Sequence, residues 1–524
     1  MRRALQIFLA ALLALHTRPL RAQMVLYAPL TNDRSILRAE VAGKAGDYYW
    51  VWTTVKKKLA RRQAGKGYGY GEEQRFEICD DRMRPVTTIS PRVDPDTALK
   101  QYLIAGAASF DQLVLLPGRG KTFLFLDRYE PQGRALDEGR TIASFPFHAS
   151  GNNFLLLRSA DQTKILALGF EPRPASPPRM YAILFDQDWK ILSNRVYEHP
   201  SITQPILQDD ATSYPIEDFD KSPVKLADNG QWLMTVPSSE DDNYVLFHFC
   251  GDDNSFSCKE ISLPEAARME DVALSVDNKK GEIIVGILSR FRSVAHKHVR
   301  TVHYSMERQQ FDFDSSYRFS TLLPGEVRNK NLVKENFIAV PGEGFMLLKE
   351  YGRSFFGWGI DEGVSGSQLE LEDFIFNTQN RNAGIRAPLL EDGYARYGFL
   401  AGLGEEHGRG DLGLFYFPAV RSDSAWSGLM RKEQITEFNA PDLSYLVVPV
   451  KDKLFFLYNS SFRNGNHGAS TIIDHQGKPL SGEGVLFWQI RNSLRFQQSR
   501  QISANEVAVP YGNYQPEGFA IIRF

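Results

Sequence analysis

From residue 25 to the end, the chain reads as short apolar runs broken by Gly, Pro, Asn and Asp, the residues that turns require. Nowhere between these runs do apolar positions return at the spacing of a helix face. The clearest stretch is Arg179 to Tyr197, RMYAILFDQDWKILSNRVY. An apolar run ends at Phe185-Asp186, a Gln-Asp turn follows, and a second run goes from Trp189 to Tyr197, so the pattern predicts two antiparallel strands. Tyr48 to Val55, YYWVWTTV, predicts another strand, and the chain returns to strand at Arg75 to Cys79. The best helical candidate, Ser262 to Ala273, is short and begins beside Pro264.

Two features repeat. One is an apolar run, a tight turn and a second apolar run. It occurs at 113–127, 145–158, 225–236, 273–288, 337–349, 446–459 and 507–524. The other is the strand and turn of 181–186, echoed by FEICDD at 76, VLFHFC at 245, TVHYSM at 301, LFYFPA at 414 and STIIDH at 470. In the second half of the chain successive copies are mostly fifty to sixty-odd residues apart, the length of one four-stranded unit with its loops. In this pattern the chain resembles the β-propeller superfamily, whose small sheets repeat around an axis and bury their faces against their neighbours. No WD dipeptide repeat, kelch signature or sialidase-type Asp box accompanies the resemblance. It implies an all-β fold of eight blades, with seven as the alternative because residues 101–158 hold two hairpin patterns close together. The run ending at Phe524 lacks outer strands, and residues 48–89 offer strands without a preceding hairpin. Closure is therefore expected through pairing of N- and C-terminal strands, which removes exposed edges.

Composition adds limits rather than direction. The chain has 524 residues, 43% hydrophobic and 24% charged, with a formal net charge of -2. No global field points to nucleic acid or an anionic membrane as a partner. Arg2 and Arg3 precede an apolar run from Ile7 to Leu15, and Leu20-Arg21-Ala22 offers a cleavage site. Residues 1–22 therefore read as a secretory signal peptide, and 23–524 as a single exported domain, periplasmic or extracellular. No later run is long enough to predict a transmembrane segment. Cys250 and Cys258 flank GDDNSFS, a hairpin-like loop, and form a candidate disulfide, leaving Cys79 as a packed small residue.

Local chemistry is sparse. No G-x-S-x-G, H-E-x-x-H, P-loop, zinc or calcium motif is present, and no cofactor is implied. His296, His298 and His303 stand close together. The first two should share a strand face, with His303 across a turn, but Arg292, Lys297 and Arg300 repel a cation. The simpler reading is a basic exposed strand edge, and no metal is assigned. Three insertions interrupt the repeat, near 56–74, 201–224 and 361–396, and insertions on a rigid scaffold are where binding residues concentrate. They supply the candidate contacts Tyr68 and Tyr70, then Asp209, Asp210 and Tyr214, then Asn380, Arg381 and Arg386. The expected function is a non-catalytic binding scaffold for a protein or glycan. The alternative is a glycoside hydrolase-like propeller using channel-facing carboxylates gathered from different blades.

Overall fold

Turn chemistry builds the unit of this fold. In the Asp186 turn, Asp186 Oδ1 accepts from the backbone N–H groups of Asp188 and Lys190, each at 2.9 Å. The backbone closes with Trp189 N donating to Asp186 O and Asp186 N donating to Lys190 O, both at 3.0 Å. The Asp80 turn repeats this scheme, with Oδ1 accepting from Arg82 N and Arg84 N at 2.9 Å. The fourth residue of each turn takes a left-handed backbone, with φ of 59° at Met83 and 64° at Trp189.

The computed structural model describes residues 24–29, 36–58, 70–93, 97–148, 153–173, 176–199, 224–237, 244–249, 256–261, 268–290, 296–320, 331–340, 344–354, 407–419, 425–430, 445–450, 453–462, 465–474, 480, 484–485, 494, 499–503, 505–511 and 518–524. Among these, thirty-two strands form eight four-stranded antiparallel sheets. Sheet 1 holds Ile36–Ala45, Tyr48–Lys58, Tyr70–Cys79 and Pro85–Ile89; sheet 2 holds Lys100–Ala105, Phe110–Gly118, Lys121–Tyr129 and Arg140–Phe145. Sheet 3 holds Phe154–Arg158, Lys164–Glu171, Arg179–Asp186 and Ile191–Glu198; sheet 4 holds Val224–Leu226, Trp232–Pro237, Tyr244–Phe249 and Phe256–Ile261. Sheet 5 holds Arg268–Asp277, Glu282–Arg290, His296–Ser305 and Gln310–Ser320; sheet 6 holds Asn331–Val340, Gly344–Ser354, His407–Pro418 and Trp426–Met430. Sheet 7 holds Tyr445–Val450, Lys453–Phe462, Gly465–Asp474 and Gly484–Val485. Sheet 8 holds Arg500–Ser503, Glu506–Tyr511 and Gly518–Arg523, completed on its outer side by Met24–Pro29.

First strands of neighbouring sheets touch between blades 1 and 2, 3 and 4, 4 and 5, 5 and 6, and 8 and 1, so they line an axis and the fourth strands form the rim. Apolar packing fills the gaps. Each of eight core clusters joins two adjacent sheets and no others, and together they run once around the ring. The molecule is an eight-bladed β-propeller. Strand alternation makes this possible: Phe519 and Ile521 enter the gap between blades 8 and 1, whereas Ala520 and Ile522 enter that between 7 and 8. Both faces of each blade are thus buried, and the inner strands read as continuous apolar runs. Close approach selects Gly286 of blade 5, where a Cβ would stand 2.6 Å from the Phe345 ring of blade 6.

Polar pins cross some gaps. Trp189, 3% exposed, enters the gap between blades 2 and 3 and donates Nε1–H to Asp111 Oδ2 at 2.7 Å. Asp111 also receives Arg128 Nε at 3.1 Å. A left-handed backbone costs a bulky residue about 1–2 kcal/mol. Burying the indole and bonding it to a carboxylate contributes more, roughly 3–5 kcal/mol, so the strained turn persists. Between blades 8 and 1, Glu506, 3% exposed, accepts from Lys44 Nζ at 3.0 Å, Tyr49 OH at 3.1 Å and Arg523 Nε at 2.6 Å.

Several expectations hold and several change. The strands of 179–186 and 191–198 are present, and all six copies of the second repeat are third strands of their blades. The first repeat is less uniform. At 225–236 and 273–288 it joins first and second strands, and at 113–127 second and third. At 145–158 it spans the passage from blade 2 to blade 3, which explains the crowding that suggested seven blades. Closure does join the two ends of the chain, but through Met24–Pro29 paired with Gly518–Arg523, with Val25 opposite Ile522. Residues 48–89 instead sit in blade 1 behind Ile36–Ala45. The second half of the helical candidate is strand Arg268–Asp277, because its alternate residues are needed in two gaps. The basic insertion after Val55 begins later than its composition suggests, since Lys56–Lys58 still pair with Tyr70–Glu72. The proposed leader, residues 1–22, lies outside the described residues.

Two measurements check the pins. Trp189→Phe, which leaves Asp111 without the indole donor, is expected to lower the unfolding free energy by about 1–3 kcal/mol in urea titrations. Glu506→Gln is expected to cost about 2–4 kcal/mol at pH 7, because Lys44 and Arg523 lose their counter-charge. Burial works against the Glu506 carboxylate, but Lys44, Tyr49 and Arg523 hold its pKa below the ordinary 4.5. Its contribution is therefore complete above the unfolded value and lost as pH falls through the folded one. Stability curves of wild type and Glu506→Gln should separate at neutral pH and converge in acid.

Candidate functional site

Every blade is antiparallel and built outward from the axis, so its connections sort by face. Turns from first to second and from third to fourth strand lie on one face, here the lower. Connections from second to third strand, and from one blade to the next, open on the upper face. The lower end of the axis is laced by neighbouring turns. Gly46 N donates to Gly106 O at 3.3 Å, Asp161 N to Asp228 Oδ1 at 3.1 Å, and Asp228 N to Asn278 Oδ1 at 2.9 Å. Arg500 of blade 8 reaches past blade 1 to the Leu103 carbonyl of blade 2, with Nη2 at 3.2 Å, and so crosses the inner wall.

The strand ends flanking the three insertions all belong to the upper face. They are Lys58 and Tyr70 in blade 1, Glu198 and Val224 between blades 3 and 4, and Ser354 and His407 in blade 6. Of the residues proposed from sequence, Tyr70 begins the third strand of blade 1, opposite Lys58. Tyr68, Asp209, Asp210, Tyr214, Asn380, Arg381 and Arg386 lie outside the described residues, as does Cys250. Cys258 stands on the outer strand of blade 4 opposite Phe247, exposed, and burial pushes the Cys79 thiol up to about 12, which fits a packed, inert side chain.

The upper part of the gap between blades 5 and 6 carries a charged network that the sequence did not single out. Lys297 Nζ is paired with Glu270 Oε2 on the inner strand of blade 5 and with Glu335 Oε1 on the inner strand of blade 6. Lys349 Nζ lies 3.1 Å from Glu335 Oε2, and Arg290 Nε 3.4 Å from Glu270 Oε1. Lys297 and Lys349 are 6% and 4% exposed. Burial pulls the Lys349 ammonium below its ordinary range, and the Lys297 charge adds to this, while Glu335 opposes both. Lower in the same gap the packing is apolar, through Phe337, Phe345, Leu347, Phe415 and Phe417. Across blade 6, Asn336 Nδ2 donates to Tyr445 OH at 2.8 Å, so polar side chains enter both gaps beside this blade. The sequence signal was faint: a Lys-Glu pair inside an apolar strand, as in FMLLKE and LVKENFIAV.

The histidine segment differs from both of its readings. His296, His298 and His303 lie on one strand, His296–Ser305, with no turn between them. It is the third strand of its blade, flanked on both sides, not an exposed edge. An odd separation sends His298 and His303 to opposite faces, and both are buried. His298 meets Ser289 and Ser316, and His303 Nε2 donates to the Ala419 carbonyl at 2.7 Å. Among the described residues no three His, Cys, Asp or Glu side chains converge as metal ligands would. His248 is another buried histidine, bonded to Tyr304 OH and Gln231 Oε1, and burial lowers its pKa to about 4.

In chemical terms, Glu270 and Glu335 are carboxylates from two blades brought close together in the upper part of the gap between blades 5 and 6. A hydrolytic pair must leave room between its carboxyl groups for the scissile bond. Here the Lys297 ammonium occupies that space.

No protein-family model and no curated protein sequence matches the chain. Among solved structures it is similar to the WD40 domain of SCAP from fission yeast, at 8% identity over 96% of this chain and 98% of that one, with a TM-score of 0.38. Sqt1 from Chaetomium thermophilum bound to the N-terminus of ribosomal protein L10 gives 10% identity over 94% and 100%, with a TM-score of 0.37. The β-propeller domain of the Trilobed protease from Pyrococcus furiosus gives 8% over 86% and 96%, with a TM-score of 0.33. At such identities the likeness concerns fold alone. No helix among the described residues is long and apolar enough to cross a membrane.

Lys297→Met would leave Glu270 and Glu335 facing each other without the shared ammonium. It is expected to lower the unfolding free energy by about 2–4 kcal/mol at pH 7. Glu270→Gln added to Lys297→Met should recover part of the loss, measured as a double-mutant cycle by urea unfolding.

Proposed function

We propose that this eight-bladed propeller is an exported, non-catalytic scaffold that holds a protein or glycan on the upper face of its ring. One observation carries the reading: the carboxylates that approach each other in the upper part of the gap between blades 5 and 6 are closed by Lys297, Lys349 and Arg290 into one ionic network. Glu270 and Glu335 are each held by cations on a rigid frame and so do not form a free acid and base. The three insertions depart from strand ends of the same face, where a rigid ring can present them together to one ligand. Export rests on the N-terminal pattern of Arg2, Arg3 and the apolar run from Ile7 to Leu15.

The test uses the full chain, secreted from its own leader, and variants in which 201–223 or 361–396 is replaced by a short Gly/Ser linker. N-terminal sequencing of the secreted protein should begin just after Ala22. Binding to a glycan array, or to proteins of the producing cell captured on the immobilised chain, should fall at least tenfold in one or both linker variants, with the melting temperature held. Hydrolysis of an arrayed glycan that disappears in Glu270→Gln or Glu335→Gln would overturn the reading in favour of a hydrolase. Binding untouched by either replacement would overturn the placement on this face.

A further inference from the structure

The rim of blade 3 departs from an ordinary solvated edge. Seven large apolar side chains are strongly exposed among the described residues, and three of them, Ile191, Leu192 and Val196, lie on its outer strand, at 44%, 46% and 46%. Phe185 faces Ile191, Ile183 faces Asn194 and Tyr181 faces Val196, with an irregular step at Leu184/Phe185 that leaves Leu192 without an opposite residue. Tyr181, Ile183 and Phe185 point into the gap between blades 2 and 3. Ile191, Asn194 and Val196 therefore share that side of the blade, but further out, where no neighbouring blade covers them. Tyr197, on the other side, is buried in the gap between blades 3 and 4. The outer backbone edge of the strand pairs with no further strand among the described residues.

An apolar strip beside an open strand edge is a template for one more strand. The sequence itself names an occupant. Set antiparallel to a second copy and centred on Asn194, the segment places Leu192 opposite Val196, Asn194 opposite Asn194, and Lys190 opposite Glu198. Leu192, the extra residue of the irregular step, then stands across from Val196, and the flanking residues carry opposite charge. Lys190 and Glu198 are both exposed, and Glu198 already receives Arg179 and Arg173 on its own chain, so a further ammonium would join an existing ionic cluster. We propose that a second copy of this chain docks there edge to edge, joining two blades into one eight-stranded sheet about a two-fold axis through Asn194. The pairing leaves the upper face open and does not depend on what that face binds. A contact of one strand and a few side chains is small, so the dimer is reversible, half-formed at roughly 1–100 µM.

Analytical ultracentrifugation of the full chain across that range should show the mass rising from one chain toward two. Val196→Lys, which buries an unpaired ammonium against Leu192 of the second copy on each side of the axis, should hold the protein at one chain at ~100 µM, with circular dichroism and melting unchanged. Asn194→Cys should form an interchain disulfide on oxidation, identified by mass spectrometry of the cross-linked peptide. Lys190→Cys should not, since its two copies would lie about 27 Å apart along the ladder. A chain that stays single at ~100 µM, a dimer indifferent to Val196→Lys, or cross-linking at Lys190→Cys equal to that at Asn194→Cys would each overturn the proposal.

Discussion

Everything in this molecule depends on apolar packing between sheets that cannot bury their own faces. A single four-stranded sheet has two apolar sides and no third layer of its own to cover them. Leu166 and Leu168 belong to one gap while Ile165 and Ala167 belong to the next, so each inner strand stabilises two interfaces at once. The arrangement is stable only when the last gap is filled. The clusters on either side of blade 8, through Ala508, Phe519 and Ile521 and through Val507, Val509 and Ile522, complete the circuit.

Polar chemistry is admitted on terms that this packing sets. Most buried charges stand near the ends of strands, where a partner from the next blade is within reach. Glu506 collects Lys44, Tyr49 and Arg523 at the lower end of one gap, and Glu270, Glu335, Lys297 and Lys349 meet toward the upper end of another. An ionic network of this sort costs desolvation and contributes less than apolar groups of the same shape would. The apolar clusters can carry that cost.

Much of the fold was legible because turns and strands speak locally. Asp186 with Trp189, and Asp80 with Met83, each announce the exit from a third strand, and that repeat located six blades. The position of a hairpin within its blade was not legible, because strands buried on both sides carry the same continuous apolar run wherever they stand. For the same reason Met24–Pro29 gave no sign of being the closing strand. Its role is fixed only by Gly518–Arg523, at the far end of the chain. The charged network was hidden in another way. Glu270 and Glu335 come from different blades, and only the rotation between blades brings them to one ammonium. The histidines misled because a turn was expected between His298 and His303; on one unbroken strand their odd separation sends them to opposite faces and to separate polar contacts.

The pairing of Met24 with Arg523 also orders events in time. During synthesis the closing strand is made long before its partner and must wait for it. Until then blade 1 and the unfinished ring keep apolar flanks in contact with solvent. Such a nascent chain resembles an open book whose covers meet only when the final page is printed, and it calls for a chaperone or a slow, reversible collapse in the interval.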